Sequence, residues 1–243
     1  MTLLGKAKII AGLMAIVALP FAGAALSYRS RSIELQFVEH EHTFSAAEKE
    51  AIEQVAAGAA RDVRVHLPSL PETWKLVVTT GSNVIAETGE NGTWVAPNEI
   101  VWTMDPSRDI AATIRTQLRA TLFHELHHLV RAQRVSTPSL LDAVVTEGLA
   151  TAFERDFGNT APPWADIPVE IEAWTAEVLA LPANAPRNDW LILHPDGRRW
   201  VGMLVGTFIV DRATKLTGRS AAALAHATTD DIVRASRLRD TPK

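Results

Sequence analysis

The sequence predicts an α+β fold in which a small sheet and one helix come first and helices alone follow. Three observations carry this. Apolar and polar residues alternate in "SIELQFVEH" (Ser32–His40), and "WKLVVTT" and "EIVWTM" are further short β-type stretches bounded by turn residues. One capped amphipathic helix, "FSAAEKEAIEQVAAGAARDVRVHL", separates the first two of them. From about Ile110 onward the pattern is helical and no strand pattern returns. The chain has 243 residues, 47% of them hydrophobic and 21% charged, enough for one substantial domain or two small lobes sharing a core. The net charge of −4 and the scattered Lys and Arg residues exclude a nucleic-acid partner. The absence of cysteine excludes disulfides, thiolate metal sites and cysteine nucleophiles.

Residues 1–25 stand apart. Lys6 and Lys8 precede the apolar run "IIAGLMAIVALPFAGAAL", which ends in small residues. The segment is a signal peptide or an N-terminal anchor. The run reaches about 18 residues, close to the roughly 20 that span a bilayer, whereas Pro20 followed by small residues favours cleavage. In either case residues 26–243 are expected outside the cytoplasm, periplasmic or secreted, with a membrane anchor if the segment is kept. They divide into a sheet and active-site helix (26–135) and a helical part (136–243).

After the first strand, Ser45 with Glu48 three residues on forms a capping box at the start of the first helix. Pro68 and Pro71 end that unit, and Gly81, Gly89 and Gly92 mark the turns after "WKLVVTT". "GTWV" and "EIVWTM" are short strands, closed by Asp105-Pro106-Ser107. One uninterrupted helix is then expected from about Ile110 to about Arg131, and a second from about Ser139 to Phe157. "PPWADIPVEIEAWTAEVLALP" reads as a third helix bounded by prolines, and "RRWVGMLVGTFIVDRATKLTG" as a fourth, closed by Gly218.

The stretch "TLFHELHHLV" (Thr121–Val130) lies on the first of these helices. Residues four apart share a helix face, so His124 and His128 project side by side and both can reach one ion. Glu125 is rotated by about 100° from His124, where its carboxylate can reach a metal-bound water rather than the metal. Leu122, Phe123, Leu126, Leu129 and Val130 imply burial, and buried imidazoles and carboxylates need partners. The alternative is a partly exposed helix with solvated histidines. His127 also faces the side of His124, so a pair of His124 and His127 competes with His124 and His128. A third ligand must come from another element. Glu147, in "DAVVTEGLATAFE", can fold back opposite the histidines, and the small Gly148 and Ala150 allow a close approach of the helices.

"HELHH…EGLA" resembles the gluzincin arrangement of thermolysin-like zinc peptidases. More closely, "HELHHLVR", "EGLATAFE" and "WVGMLVGTFIV" resemble a bacterial family of predicted Zn-dependent proteases, over roughly Val77 to Ser236. The resemblance implies a zincin-like form of the α+β fold: a small twisted sheet plus active-site helix, followed by a helical C-terminal lobe. It implies one zinc ion held by His124, His128 and Glu147, with Glu125 as general base and a peptide or protein as substrate. Arg131 matches the family's motif arginine and is expected to be structural, pairing with Asp142 or Glu154. Two departures stand out. Thermolysin-like enzymes carry an Asp four residues after the ligand Glu to brace a ligating histidine, where this chain has Thr151. The closer family tends to carry Gly-Tyr where this chain has Gly202-Met203, and the one tyrosine is Tyr28.

Without that tyrosine, His194, Arg198 and Arg199 of "LHPDGRRW" are candidates for transition-state or substrate contacts, against their being solvated loop groups. His127 is left to orient substrate or line the cleft. His226 is a weaker candidate, and His40 and His42 share a strand face that is expected to be solvated. Thr93–Val95 can act as an edge strand pairing with a substrate backbone. The expectation is therefore a zinc-dependent peptidase. The alternative is an extracytoplasmic metal-binding or interaction domain on the same scaffold with little or no catalysis.

Overall fold

A computed structural model of the protein describes residues 33–95, 97–158 and 162–238. The expected signal or anchor segment, residues 1–25, and Tyr28 lie outside the described residues. No helix among the described residues is long and apolar enough to cross a membrane. The fold is α+β, a four-stranded mixed sheet followed by helices, as the alternation and the late helical period imply.

Four strands form the sheet: β1 (Ile33–Val38), β2 (Trp74–Thr80), β3 (Glu90–Val95) and β4 (Glu99–Met104), in the order β1-β2-β4-β3. The pairs β1/β2 and β2/β4 are parallel, and β3 runs antiparallel to β4. In register, Leu35 lies beside Leu76, Leu76 beside Ile100 and Val78 beside Trp102. The strict alternation of β2 puts Trp74, Leu76, Val78 and Thr80 on one buried face. Helix α1 (Ala46–His66) opens on the expected capping box, Ser45 with Glu48, and turns Ile52, Ala56, Ala59 and Val63 inward. The strand β3 ends the sheet, so one of its backbone edges is free of strand partners, and that edge faces the helix carrying the histidines.

The helix expected as continuous from Ile110 to Arg131 is two, α2 (Ile110–Thr116) and α3 (Leu118–Ala132), with Gln117 between them. No Gly or Pro marks this break. Its backbone (φ −112°, ψ −42°) lies off the helical values, so a sequence search for breakers passes over it. Helix α4 (Leu140–Phe153) starts on a second capping box, Ser139 with Asp142, and runs into a five-residue π-helical turn, Glu154–Gly158. The third expected helix is much shorter: α5 covers only Ile171–Leu179. Pro162, Pro163 and Pro168 lack the amide protons a helix interior needs and hold the preceding stretch open. A short α6 (Arg187–Leu191) lies in the polar loop beyond. Helix α7 begins at Val201 rather than at Arg198, because Trp200 takes a left-handed backbone, and it ends at Gly218 as expected. Two short helices, α8 (Ala221–Leu224) and α9 (Thr229–Ser236), finish the described chain.

Helix α4 is buried nearly all round, which places it at the centre of the helical part between α3 and α7. The crossing with α7 is unusually deep. A Cβ on Gly148 would sit 2.0 Å from the carbonyl carbon of Gly206, and one on Gly206 would sit 2.0 Å from the Val144 oxygen. Gly148 therefore serves the α4–α7 contact, not the α3–α4 approach expected of it.

Candidate metal centre

Every residue of α3 from Leu122 to Arg131 is buried, although five of them carry polar side chains. Each of the five needs an account, because an unpartnered polar group in such a place is costly.

His124 and His128 lie one turn apart, with ring centroids separated by 4.7 Å. Glu147 comes back from α4 opposite them. Its Oε2 is 3.1 Å from His124 Nε2 and 3.4 Å from His128 Nε2. The three donors lie within 4.8 Å of one another, and this is the group of the described residues that can hold a metal ion. The donor set can be tested against the metal it implies. Zinc bonds of about 2.0–2.1 Å in a tetrahedron put neighbouring donors about 3.3–3.4 Å apart, close to the 3.1 and 3.4 Å between Glu147 and the two histidines. Two imidazole nitrogens and one carboxylate oxygen also leave a fourth position for water, the arrangement of catalytic rather than structural zinc sites. The site fits.

The electrostatics agree with the geometry. Burial works against ionisation of Glu147, but His128 and His124 outweigh it and hold the carboxyl far below its usual range. Burial also disfavours charge on His124, yet its bonds to Glu147 and Glu154 prevail and raise its pKa well above the ordinary value.

Glu125 stands beside this group and outside it. Its Oε2 accepts the backbone N–H of Trp94 on β3 at 2.7 Å, and burial raises its pKa. The strand reaches it because residue 92 is glycine. A Cβ there would lie 2.4 Å from Thr121 Cγ2 and 2.9 Å from Glu125 Cγ. One turn earlier on α3, Thr121 donates to Glu90, a buried carboxylate that also accepts from the Trp102 indole at 2.7 Å. Burial pushes the Glu90 carboxyl up.

The group that braces His124 comes from an unexpected place. Glu154, the first residue of the π-helical turn, accepts from His124 Nδ1 at 3.2 Å and is itself buried. A hydrogen bond at the far nitrogen fixes the tautomer that turns Nε2 toward Glu147 and His128. Thr151, at the position where thermolysin-like enzymes carry the bracing Asp, instead accepts the indole N–H of Trp164 at 3.0 Å. Trp164 in turn sets its ring 6.4 Å from that of His124, edge to face.

The remaining candidates fall elsewhere. His127 is fully buried, faces Phe153 with centroids 5.4 Å apart, and is kept neutral by burial and by the neighbouring His128 and Arg131 charges. It does not line the cleft. Arg131 does not pair directly with Asp142 or Glu154. It donates from Nε to Thr146 and from Nη1 to the carbonyls of Ala225 and Ala227, tying α3 to the loop after α8, while burial lowers its pKa to about 10. His194 and Arg198 are not brought to the histidine group. His194 packs on Trp190 and pairs with Asp196, and Arg198 binds Asp196 and Glu177 over the Trp174 ring. Of the "LHPDGRRW" candidates it is Arg199 that lines the cleft, paired with Glu87. His226 bonds Ser69, and His42 bonds Glu48 beside the first capping box.

A cleft of about 1220 Å³ runs along this centre, between β3 on one side and residues 162–164 and 187–203 on the other. Residues 44–234 match the model of a family described as "Predicted Zn-dependent protease (DUF2268)". The chain belongs to that family. The match takes in the strands β2 to β4, the helices α1 to α8 and all the residues of the His–His–Glu group. No curated protein and no solved structure matches the chain.

Proposed function

We propose that the protein is a zinc-dependent peptidase in which one ion is held by His124, His128 and Glu147 and the general base is Glu125. The observation that carries this reading is the place of Glu125. It lies on the same buried helix turn as the two histidines, next to their donor group but not in it, with a carboxylate raised by burial. A metal site used only for folding has no need of such a neighbour. The ion, when bound, would polarise a substrate carbonyl and lower the pKa of a coordinated water. Glu125 would take that water's proton on its carboxylate and hand it to the departing amine. The Trp94 amide holds one oxygen of Glu125 and so aims the other. Glu154 keeps the proton of His124 on Nδ1, leaving Nε2 as a donor. Apart from the Trp94 N–H held by Glu125 and the Glu90 carbonyl bonded by Ile85, the outer edge of β3 is suited to pair with an extended substrate backbone. The pattern of residues 1–25 supports a site of action outside the cytoplasm, on a peptide or protein substrate.

One observation favours a second reading, a metal-binding domain with little turnover. The chain's only tyrosine is Tyr28, and the cleft arginine Arg199 is engaged by Glu87, so neither is set, among the described residues, to receive a developing oxyanion. Digestion of a peptide library by the zinc-loaded protein separates the two. Cleavage that disappears in Glu125→Gln, with about one zinc per chain retained, is the expected result. Zinc binding without any cleavage would establish the second reading, and absence of zinc would end both.

A further inference from the structure

Most of the charged groups lining the cleft have internal partners. Arg199 pairs with Glu87, Arg187 donates to the Thr137 carbonyl, and Arg131 is turned toward Ala225 and Ala227. Among the carboxylates, Glu90 accepts from Trp102 and Thr121, Glu154 from His124, and Glu147 and Glu125 belong to the centre itself. Beside uncharged polar residues such as Asn83, Asn91, Gln117 and Asn188, the lining offers a substrate side chain an apolar group: Trp94, Trp164, Trp200, Leu191, Ile192 and Met203.

The tryptophans are arranged in sequence outward from the metal group. Trp164 stands edge to face with His124, its indole N–H already spent on Thr151. Trp200 packs on Trp164, with centroids 4.9 Å apart. Trp200 holds its ring there from a left-handed backbone (φ 60°), a conformation disfavoured for any residue with a Cβ and typically kept where a site requires it. Its N–H donates to Ile192 and its carbonyl accepts from Leu204, so the position is fixed from both sides. The Arg199 guanidinium lies over the outer part of this wall, 4.9 Å from the Trp200 ring.

Resting on the peptidase reading, we propose that this wall is a subsite for one large apolar or aromatic side chain beside the bond to be cut, with Trp200 as its main contact. Recognition at this wall is by apolar surface and ring packing. Of the lining arginines, Arg199 is paired with Glu87 and Arg131 is buried, while the exposed Arg187 bonds the Thr137 carbonyl. The wall itself therefore reads an apolar side chain.

Binding tests this without any need for turnover. The full-length Glu125→Gln protein, loaded with zinc, is titrated with end-blocked fluorescent peptides that differ at one central position, Phe, Ala, Asp or Lys. The Phe peptide is expected to bind about tenfold or more tightly than the Ala peptide, with Asp and Lys no better than Ala. Trp200→Asn, which keeps a residue tolerant of the left-handed backbone, should remove most of that advantage and leave the Ala peptide within about twofold. Ile192→Asp, at an exposed position of the same wall, should weaken Phe binding as well, so the test does not hang on one variant. Equal affinity for Phe and Ala, a preference for Asp or Lys, no binding of any peptide, or an advantage untouched by both variants would overturn the proposal. Failure of the wild type to cleave peptides that it binds in this order would count against the peptidase reading alone.

Discussion

Along one side of the cleft, α3 and α4 deliver His124, Glu125, His128 and Glu147 from regular, largely buried helix, the second of them opened by the Ser139–Asp142 capping box. Along the other, Glu154, Trp164, Arg199 and Trp200 come from a π-helical turn, a proline-rich stretch and a residue in left-handed conformation. The first side holds the groups proposed to carry the metal and the proton. The second holds Glu154, which bonds His124, and the groups proposed to meet the substrate. The division has a physical reason. Metal donors must keep one spacing, which the helix period supplies by itself. A substrate wall must face inward from wherever the chain returns, and irregular backbone achieves that at the cost of local strain.

The comparison can be broken at several points. The largest effect is expected for Glu125→Gln, which should lower peptide hydrolysis by about 10²–10⁴-fold at unchanged zinc content. Metal analysis together with a fluorogenic peptide assay reads both quantities, and lost zinc would move Glu125 into the ligand group. Next comes Glu154→Gln. If the irregular side orients the regular one, zinc affinity measured by chelator competition should fall about 10–100-fold, and an unaltered affinity would make Glu154 a packing residue only. Gly206→Ala strikes the regular side away from the metal. Its new methyl meets the Val144 carbonyl, so unfolding by denaturant should show a loss of about 1–3 kcal/mol or more. The smallest effect lies at Trp200, where Gly should be more stable than Ala by about 1 kcal/mol, since both lose the ring and only Ala keeps the left-handed penalty. Equal stabilities there would mean that the turn relaxes when the ring is gone.

The same division governs what the sequence alone discloses. His124, His128 and Glu147 are recognisable because their positions follow from helix period and from a helix pair that must fold back. The Ser45–Glu48 box is recognisable because capping is local chemistry. Glu154 is not, because nothing in "FERDFG" states that α4 will widen into a π turn and rotate that carboxylate onto His124. A missing Asp at Thr151 was the available clue that the brace had moved. Pro168 could have warned that the stretch before Ile171 is not helical, whereas the break at Gln117 has no residue-level mark. His194 and Arg198 share a loop with Arg199, and which of the three faces the cleft is decided by a bridge between Leu193 and Arg199 that only tertiary structure supplies.

The deep crossing of α4 and α7 has a consequence beyond packing. Gly148, which makes that crossing possible, is the residue next to Glu147. Whatever sets the depth of the crossing also sets how far Glu147 reaches toward α3, so occupancy by the proposed ion and chain folding would be linked equilibria. An ion present at a hundred times its dissociation constant would add about 2.7 kcal/mol to the stability of the native state. Chelation should accordingly lower the melting temperature in a concentration-dependent way, as expected of a proposed ion that is part of the fold as well as of the site.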